Sequence, residues 1–259
     1  GESRLIEEIM DTNMLYAQTT DDQEDVARTI TKYGLIALPI VDHEMCMVGI
    51  VTVDDAMLVL QEEETEDISI MAGVHPSEES YFGTTVFEHV KSRIPWLLFL
   101  MLSATVTQMI MNSYEGALAA MPQLAGFIPM LTGTGGNCGS QSSTLVIRGL
   151  AVGEIELSDV FKVIWKEVRV AVCISVALSV VNGIRIMLMG QGDVTMAITI
   201  GATMACTIII AKVVGCTLPL VAEKVGLDPA IMATPLISTL VDISTISVYF
   251  AIVSVVFAL

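Results

Sequence analysis

Five stretches of this chain, at about residues 94–112, 117–132, 168–190, 194–222 and 230–257, read as apolar spans, some of them loosely. A helix crosses a bilayer with ~20 mostly apolar residues, and in lipid its backbone must satisfy its own hydrogen bonds. The expected fold class is therefore an α-helical membrane protein with five transmembrane helices per subunit, joined to a small α/β domain. The second stretch is the irregular one. It is short and runs into Pro129 and the glycine run "GTGGNCG", with a helix expected to resume at "SQSSTLVIRGLAVG". Spans interrupted by Gly and Pro often mark a transport site, because opened backbone has to line a cavity rather than touch lipid.

Charge divides the chain in the same place. Residues 1–93 hold 20 Asp and Glu against 5 Lys and Arg, a net −15. Residues 94–259 hold 9 acids and 7 bases, a net −2. An acidic soluble part thus precedes a nearly neutral part, and with a mean hydropathy of +0.71 the whole is too apolar for an ordinary soluble domain. The acidity argues against nucleic acid as a partner and suits attraction of cations. Lys91 and Arg93 precede the first span, Lys162, Lys166 and Arg169 lie between the second and third, and Lys224 lies between the fourth and fifth. The opposite loops offer only Arg185. By the bias of basic residues toward the cytosol, the N-terminus is expected inside and the C-terminus outside a plasma or inner membrane. The opening "GESRLIEEIM" has neither an initiator Met nor a signal-peptide core, so a piece of a longer protein is expected. Five cysteines are scattered without a C-x-x-C pair and read as free thiols.

Residues 1–64 read as a small α/β unit. "MLYAQTT" and "LIALPIVD" are strand-like, "DDQEDVARTITKYG" is a helix between them, and "EMCMVGIVTVDDAMLVLQ" adds a strand followed by a helix. Residues 65–93 read as an acidic connecting helix and linker, and residues 94–259 as the membrane domain. Thr52 and Asp55, at the end of "VGIVTVDD", could hold a ribose and a phosphate or simply cap a strand-to-helix turn. His43, His75 and His89 lie far apart, with no metal-ligand spacing.

Two constellations carry chemistry. In the last span, Pro235, Ser238, Asp242, Thr245 and Tyr249 recur at intervals of 3, 4, 3 and 4 residues, which puts them on one helical face. Asp242 is the only charge in the final thirty residues. A polar stripe centred on a carboxylate should face a wet cavity or another helix. No basic residue is expected at comparable depth to neutralise it, so a transported cation, either a proton or a metal ion, is the expected partner. The second constellation is "GTGGNCGSQSST", 133–144. Its glycines allow close backbone approach and, if the helix opens there, free carbonyl oxygens beside the Asn137 amide; the alternative is tight helix packing by small residues. One Asp, one Asn and carbonyls are few ligands for a bare divalent ion but suit one that keeps its waters, as Mg²⁺ does.

"FIPMLTGTGGNCGSQSSTLVIRGLAVGEI" together with "GLDPAIMATPLISTLVDISTISVYF" resembles the MgtE-type magnesium channels, and residues 1–64 resemble one cystathionine-β-synthase (CBS) domain, the second of the pair those proteins carry. The resemblance implies a homodimer in a lipid bilayer, with the ion pathway at the subunit interface between the second and fifth transmembrane helices. It implies that Asp242 binds the ion, with Asn137 and Gly136 of the glycine motif beside it. It also implies that cytosolic Mg²⁺ closes the pore through the CBS domain and connecting helix, and that Glu63, Glu66 and Asp67 match acidic positions for regulatory Mg²⁺. Mg²⁺ is then both transported and regulatory ion, and the protein is not an enzyme. Measured against that family, the acidic N-terminal helical domain and the first CBS domain are missing. A CBS nucleotide cleft usually needs both repeats, which argues against ATP binding. Two rival readings are a proton-coupled divalent-cation carrier and an intramembrane aspartyl hydrolase, the latter requiring a second carboxylate close to Asp242.

Overall fold

A computed structural model describes residues 10, 14–77, 80–232 and 234–258. The first residues, on which the reading of the chain's beginning rests, lie mostly outside the described ones. The chain divides into two compact units, residues 1–67 and 68–259.

The first unit follows the order anticipated for the α/β domain. Strand β1 (Ala17–Gln18) leads to α1 (Gln23–Tyr33), then β2 (Ala37–Val41), β3 (Met47–Thr52) and the start of α2 (Val53–Met71). The sheet order is β1-β2-β3, with β1 parallel and β3 antiparallel to β2. Local chemistry explains α1. Asp22 caps it by accepting from the Glu24 N–H at 2.8 Å, and Gly34 ends it in the left-handed region at φ 61°. Its apolar face, Val26, Ala27 and Ile30, packs with Ala17, Leu38 and Ala56 into a small core. At the end of β3 the Thr52 hydroxyl donates to Asp55 at 2.5 Å, so the strand-to-helix turn is capped from within. Helix α2 does not stop with this domain but runs on through the acidic segment to Met71.

The second unit is helical. Helix α3 (Val86–Ser113) starts at a capping box in which the Thr85 N–H donates to Glu88 at 2.8 Å. After the short α4 (Glu115–Ala120), a 3₁₀ segment (Pro122–Phe127) leads into α5 (Ile128–Ala151). Helices α6 (Val160–Leu188), α7 (Val194–Lys224) and α8 (Thr234–Phe257) complete the unit. Helix α5 packs on α7 and α8, α6 covers α7, and α3 lies on α8. The core between them includes Leu124, Phe127, Leu131, Ile208, Val241, Tyr249 and Phe250, with Tyr114 stacked on Phe250 at 4.6 Å. Among the described residues, four helical segments are long and apolar enough to cross a membrane: Val86–Ser113, Leu157–Leu188, Val194–Lys224 and Pro229–Phe257. Helix α5 is the fifth by length, 24 residues or ~36 Å, but much of it is Gly, Ser, Thr, Asn and Gln.

The glycine run corrects the expected break. The interruption lies earlier, at the 3₁₀ turn, and "GTGGNCG" sits inside one continuous helix with no glycine of positive φ. Its carbonyls are engaged in the helix ladder and are not opened toward a ligand. The glycines instead remove bulk, the packing alternative weighed above. A Cβ built on Gly215 of α7 would lie 2.2 Å from the Gly139 carbonyl oxygen of α5, so the two backbones touch. A Cβ on Gly135 would meet Thr207 at 2.6 Å and Val241 at 2.8 Å.

Because backbone rather than a side-chain tip opposes Gly215, Gly215→Ala must push α5 and α7 apart. We expect a loss of about 2 kcal/mol or more in stability, read as a lowered unfolding temperature in detergent. A variant as stable as the parent would refute the backbone contact.

Candidate functional site

Asp242 lies in the third turn of α8 and is half-buried. Among the described residues it makes no hydrogen bond and no ion pair. Three hydroxyls around it are satisfied by their own helix: Thr239 donates to the Pro235 carbonyl, Ser244 to Leu240 and Ser247 to Ile243, at 2.8–3.0 Å. The carboxylate is therefore the one charge on this part of α8 and has no partner among the described residues; the buried Thr245 hydroxyl, one turn on, also lacks one.

The anticipated polar stripe divides in two. Pro235, Ser238 and Asp242 remain partly open, whereas Thr245 and Tyr249 are 1% and 0% exposed and face the interior of the protomer. The Tyr249 hydroxyl donates to the Leu124 carbonyl at 2.9 Å. Leu124 belongs to the 3₁₀ turn before α5, where the carbonyl ladder is broken, so the tyrosine satisfies an acceptor that the irregular backbone leaves open. The C-terminal half of the stripe is thus packed inside the protein, with Tyr249 as a brace, and is not part of a wet surface.

Helix α5 brings its motif to the same neighbourhood. A Cβ on Gly136 would lie 3.2 Å from the hydroxyl of Ser238, one turn before Asp242. Asn137, Gln141 and Thr144 are exposed in the protomer, at i, i+4 and i+7. They form a polar face on a helix whose opposite face, with Gly135, Gly139, Ser142 and Val146, is buried. Polar side chains at such depth need water or another protein surface. The site is accordingly an open strip bounded by Gly136, Asn137 and Gln141 of α5 and by Ser238 and Asp242 of α8. No three His, Cys, Asp or Glu side chains converge on a metal-sized site among the described residues.

Glu63 and Glu66 of α2 belong to the other unit, as does Asp67 at its edge. Their spacing puts them on one face of that helix. Glu63 accepts from the Gln23 side chain at 2.9 Å. Its charge also bears on Glu24, whose carboxyl is held above its ordinary range, chiefly by burial and despite the Arg28 guanidinium beside it. Negative charge is crowded there, a condition that a bound cation relieves.

Two deep charges were missed in the sequence. Lys212 lies mid-way along α7 and is 3% exposed, and Glu167 lies near the start of α6 at 12%. Their side chains are 3.3 Å apart. The Ser142 hydroxyl of α5 donates to Glu167 at 2.5 Å, and Lys212 donates to Ser142 at 3.0 Å. So a fixed cation does sit at depth, contrary to the expectation from sequence, but it is bound to Glu167 rather than to Asp242. A base in the middle of a span was the available signal. Glu167 was hidden by starting the third span one residue after it. With Glu167 engaged in this way, no group of three acidic, His or Cys side chains gathers about Asp242 among the described residues. All five cysteines are free thiols.

Comparison with known proteins agrees with this layout. Residues 128–252 match the family model MgtE, divalent cation transporter, and residues 6–62 match the CBS domain model. The chain is 36% identical over 251 residues to the magnesium transporter MgtE of Thermus thermophilus, and 34% over 247 residues to that of Bacillus subtilis. Each match covers 95% of this chain and 54% of the relative, so the chain spans about half the length of the curated relatives it matches. Residues 128–252 thus match the divalent cation transporter domain of the MgtE family, behind a segment that matches a CBS domain.

Proposed function

We propose that the protein conducts Mg²⁺ across a cell membrane as a homodimer, with the acidic domain in the cytosol and the C-terminus outside. The observation that carries this reading is the open polar strip in which an unpaired carboxylate, Asp242, lies one turn from Ser238, whose hydroxyl faces Gly136 next to the exposed Asn137 of α5. In lipid such a surface is unfavourable, and a second copy of the same strip would enclose it around a water-filled path. The relatives' name, magnesium transporter, supports the choice of ion.

The chemistry suits a hydrated ion. Mg²⁺ gives up its waters reluctantly and takes few direct carboxylates. Asp242 from each subunit supplies charge, while the Asn137 amide and α5 hydroxyls hold water. Since the glycine carbonyls are engaged within the helix, Gly136 contributes by closeness and not as a ligand. Conduction needs binding strong enough for the ion to enter and weak enough for it to leave, which a single carboxylate per subunit provides.

Regulation rests on the cytosolic acids. Acidic surfaces repel across distances comparable to the Debye length, ~8 Å at physiological ionic strength. Mg²⁺ bound at Glu63, Glu66 and Asp67 relieves that repulsion and favours a compact state that shuts the pore, to the extent that the ion binds that state more tightly.

Asp242→Asn keeps the shape and removes the charge. We expect Mg²⁺ uptake into proteoliposomes to fall by about tenfold or more, since a few kcal/mol of attraction are lost, while the dimer persists on size exclusion. Near-normal uptake would end the assignment. Gly136→Ala gains about 1 kcal/mol of helix propensity and needs only a small shift of Ser238, so it should fold normally yet conduct less or less selectively. Asn137→Ala should do the same, and normal transport by both would reduce the motif to packing. Neutralising Glu63, Glu66 and Asp67 together should shift inhibition by cytosolic-side Mg²⁺ to higher concentration, whereas an unchanged curve would remove their regulatory role.

A further inference from the structure

We propose that Ser142, Glu167 and Lys212 are positioning residues for the ion pathway, a hydrogen-bonded ionic clamp that fixes the rotation of α5 about its own axis and so holds Asn137 and Gln141 on the open strip. The proposal rests on the reading that this strip faces the ion; the clamp's geometry does not depend on it.

The clamp answers a problem set by the glycines. Gly139 and Gly215 bring α5 and α7 into backbone contact, and Gly135 and Gly136 leave the neighbouring surface of α5 equally smooth. Such contacts fix how closely the helices approach, while the larger buried side chains of α5, Leu131, Val146 and Ile147, lie on either side of the glycine stretch. Ser142 lies one turn beyond Gly139 on the same buried face and is 0% exposed. Its hydroxyl donates to Glu167 of α6 at 2.5 Å and accepts from Lys212 of α7 at 3.0 Å. The Lys212–Glu167 contact of 3.3 Å closes the triangle. Two helices therefore grip one atom of a third, through the strongest class of hydrogen bond a side chain makes.

Helical geometry turns this grip into orientation. At 3.6 residues per turn, Asn137 lies about 140° and Gln141 about 100° around the axis from Ser142. Tethering Ser142 toward α6 and α7 thus turns both amides away, onto the exposed side where they are found. Ser143 adds one neutral bond, to the Met232 carbonyl at 2.9 Å, on the approach to α8. A purely stabilising ion pair between α6 and α7 would need only Glu167 and Lys212. Inserting a hydroxyl from α5 between them is what makes the cluster a positioning device.

Ser142→Ala isolates that role, because it leaves the ion pair intact and removes only the link to α5. The full chain carries the reporter Gln141→Cys with its native cysteines replaced by alanine, and is reconstituted in vesicles. With Ser142 present, a water-soluble thiol reagent should label position 141. With Ser142→Ala, labelling should slow by about tenfold; in chains that keep Gln141, the preference for Mg²⁺ over Ca²⁺ in flux should fall by a similar factor, the equivalent of one misplaced hydrogen bond. The double variant Lys212→Met with Glu167→Met strands no buried charge and should show the same two changes at near-parental thermal stability. Unchanged labelling and unchanged ion preference in Ser142→Ala would overturn the proposal, whatever its effect on stability. If the parent shows no Mg²⁺ flux, the transport reading fails while the labelling comparison still decides the clamp.

Discussion

In lipid a backbone amide has nothing to bond to but its own chain, and this decides how the glycine-rich motif is built. Four glycines in seven residues would disfavour a helix in water. Here the segment is helical, and the break falls at Pro122–Phe127 instead, where the Tyr249 hydroxyl covers an open carbonyl. Keeping the ladder whole through 133–139 lets the motif act by what it lacks. Without Cβ atoms at Gly135, Gly136 and Gly139, α7 and α8 come close enough for Ser238, one turn before Asp242, to lie against Gly136.

The same half of the molecule treats two deep carboxylates in opposite ways. Glu167 has a lysine and a serine within hydrogen-bonding reach, and its charge is neutralised inside the protein. Asp242 has neither, although Lys212 is available in the same bundle. Pairing Asp242 with that lysine would have left no charge to attract a cation. Charge is thus spent internally where rigidity is useful and left uncompensated along the strip that the proposed ion follows.

Much of this was legible in the sequence. The α/β unit was readable because Asp22, Gly34 and the alternating apolar residues of β2 and β3 each act locally. Asp242 was readable because a lone charge in thirty apolar residues has few explanations. The state of "GTGGNCG" was not, since local propensity favours opening it while burial against α7 and α8 favours a helix, and only the packing decides. Thr245 and Tyr249 share a helical face with Asp242, so periodicity alone could not divide them; the division comes from what α5 and its 3₁₀ lead-in place opposite each. Glu167 and Lys212 are 45 residues apart in the chain and meet only because α6 and α7 pack as neighbours.

The junction between α2 and α3 has a spectroscopic consequence. Gly73, at φ 70°, ends the turn after α2, and a Cβ there would lie 2.0 Å from the indole of Trp96. The Trp96 ring is thus pressed against bare backbone, and its Nε1 is buried with no hydrogen-bond partner. The chain has 2 tryptophans, and the other, Trp165, is 63% exposed. An indole N–H shielded from water emits at shorter wavelength than one in contact with it. With Trp165 replaced by Phe, the intrinsic emission belongs to Trp96, and any movement that lifts the end of α2 from α3 wets that indole and shifts its colour without a label.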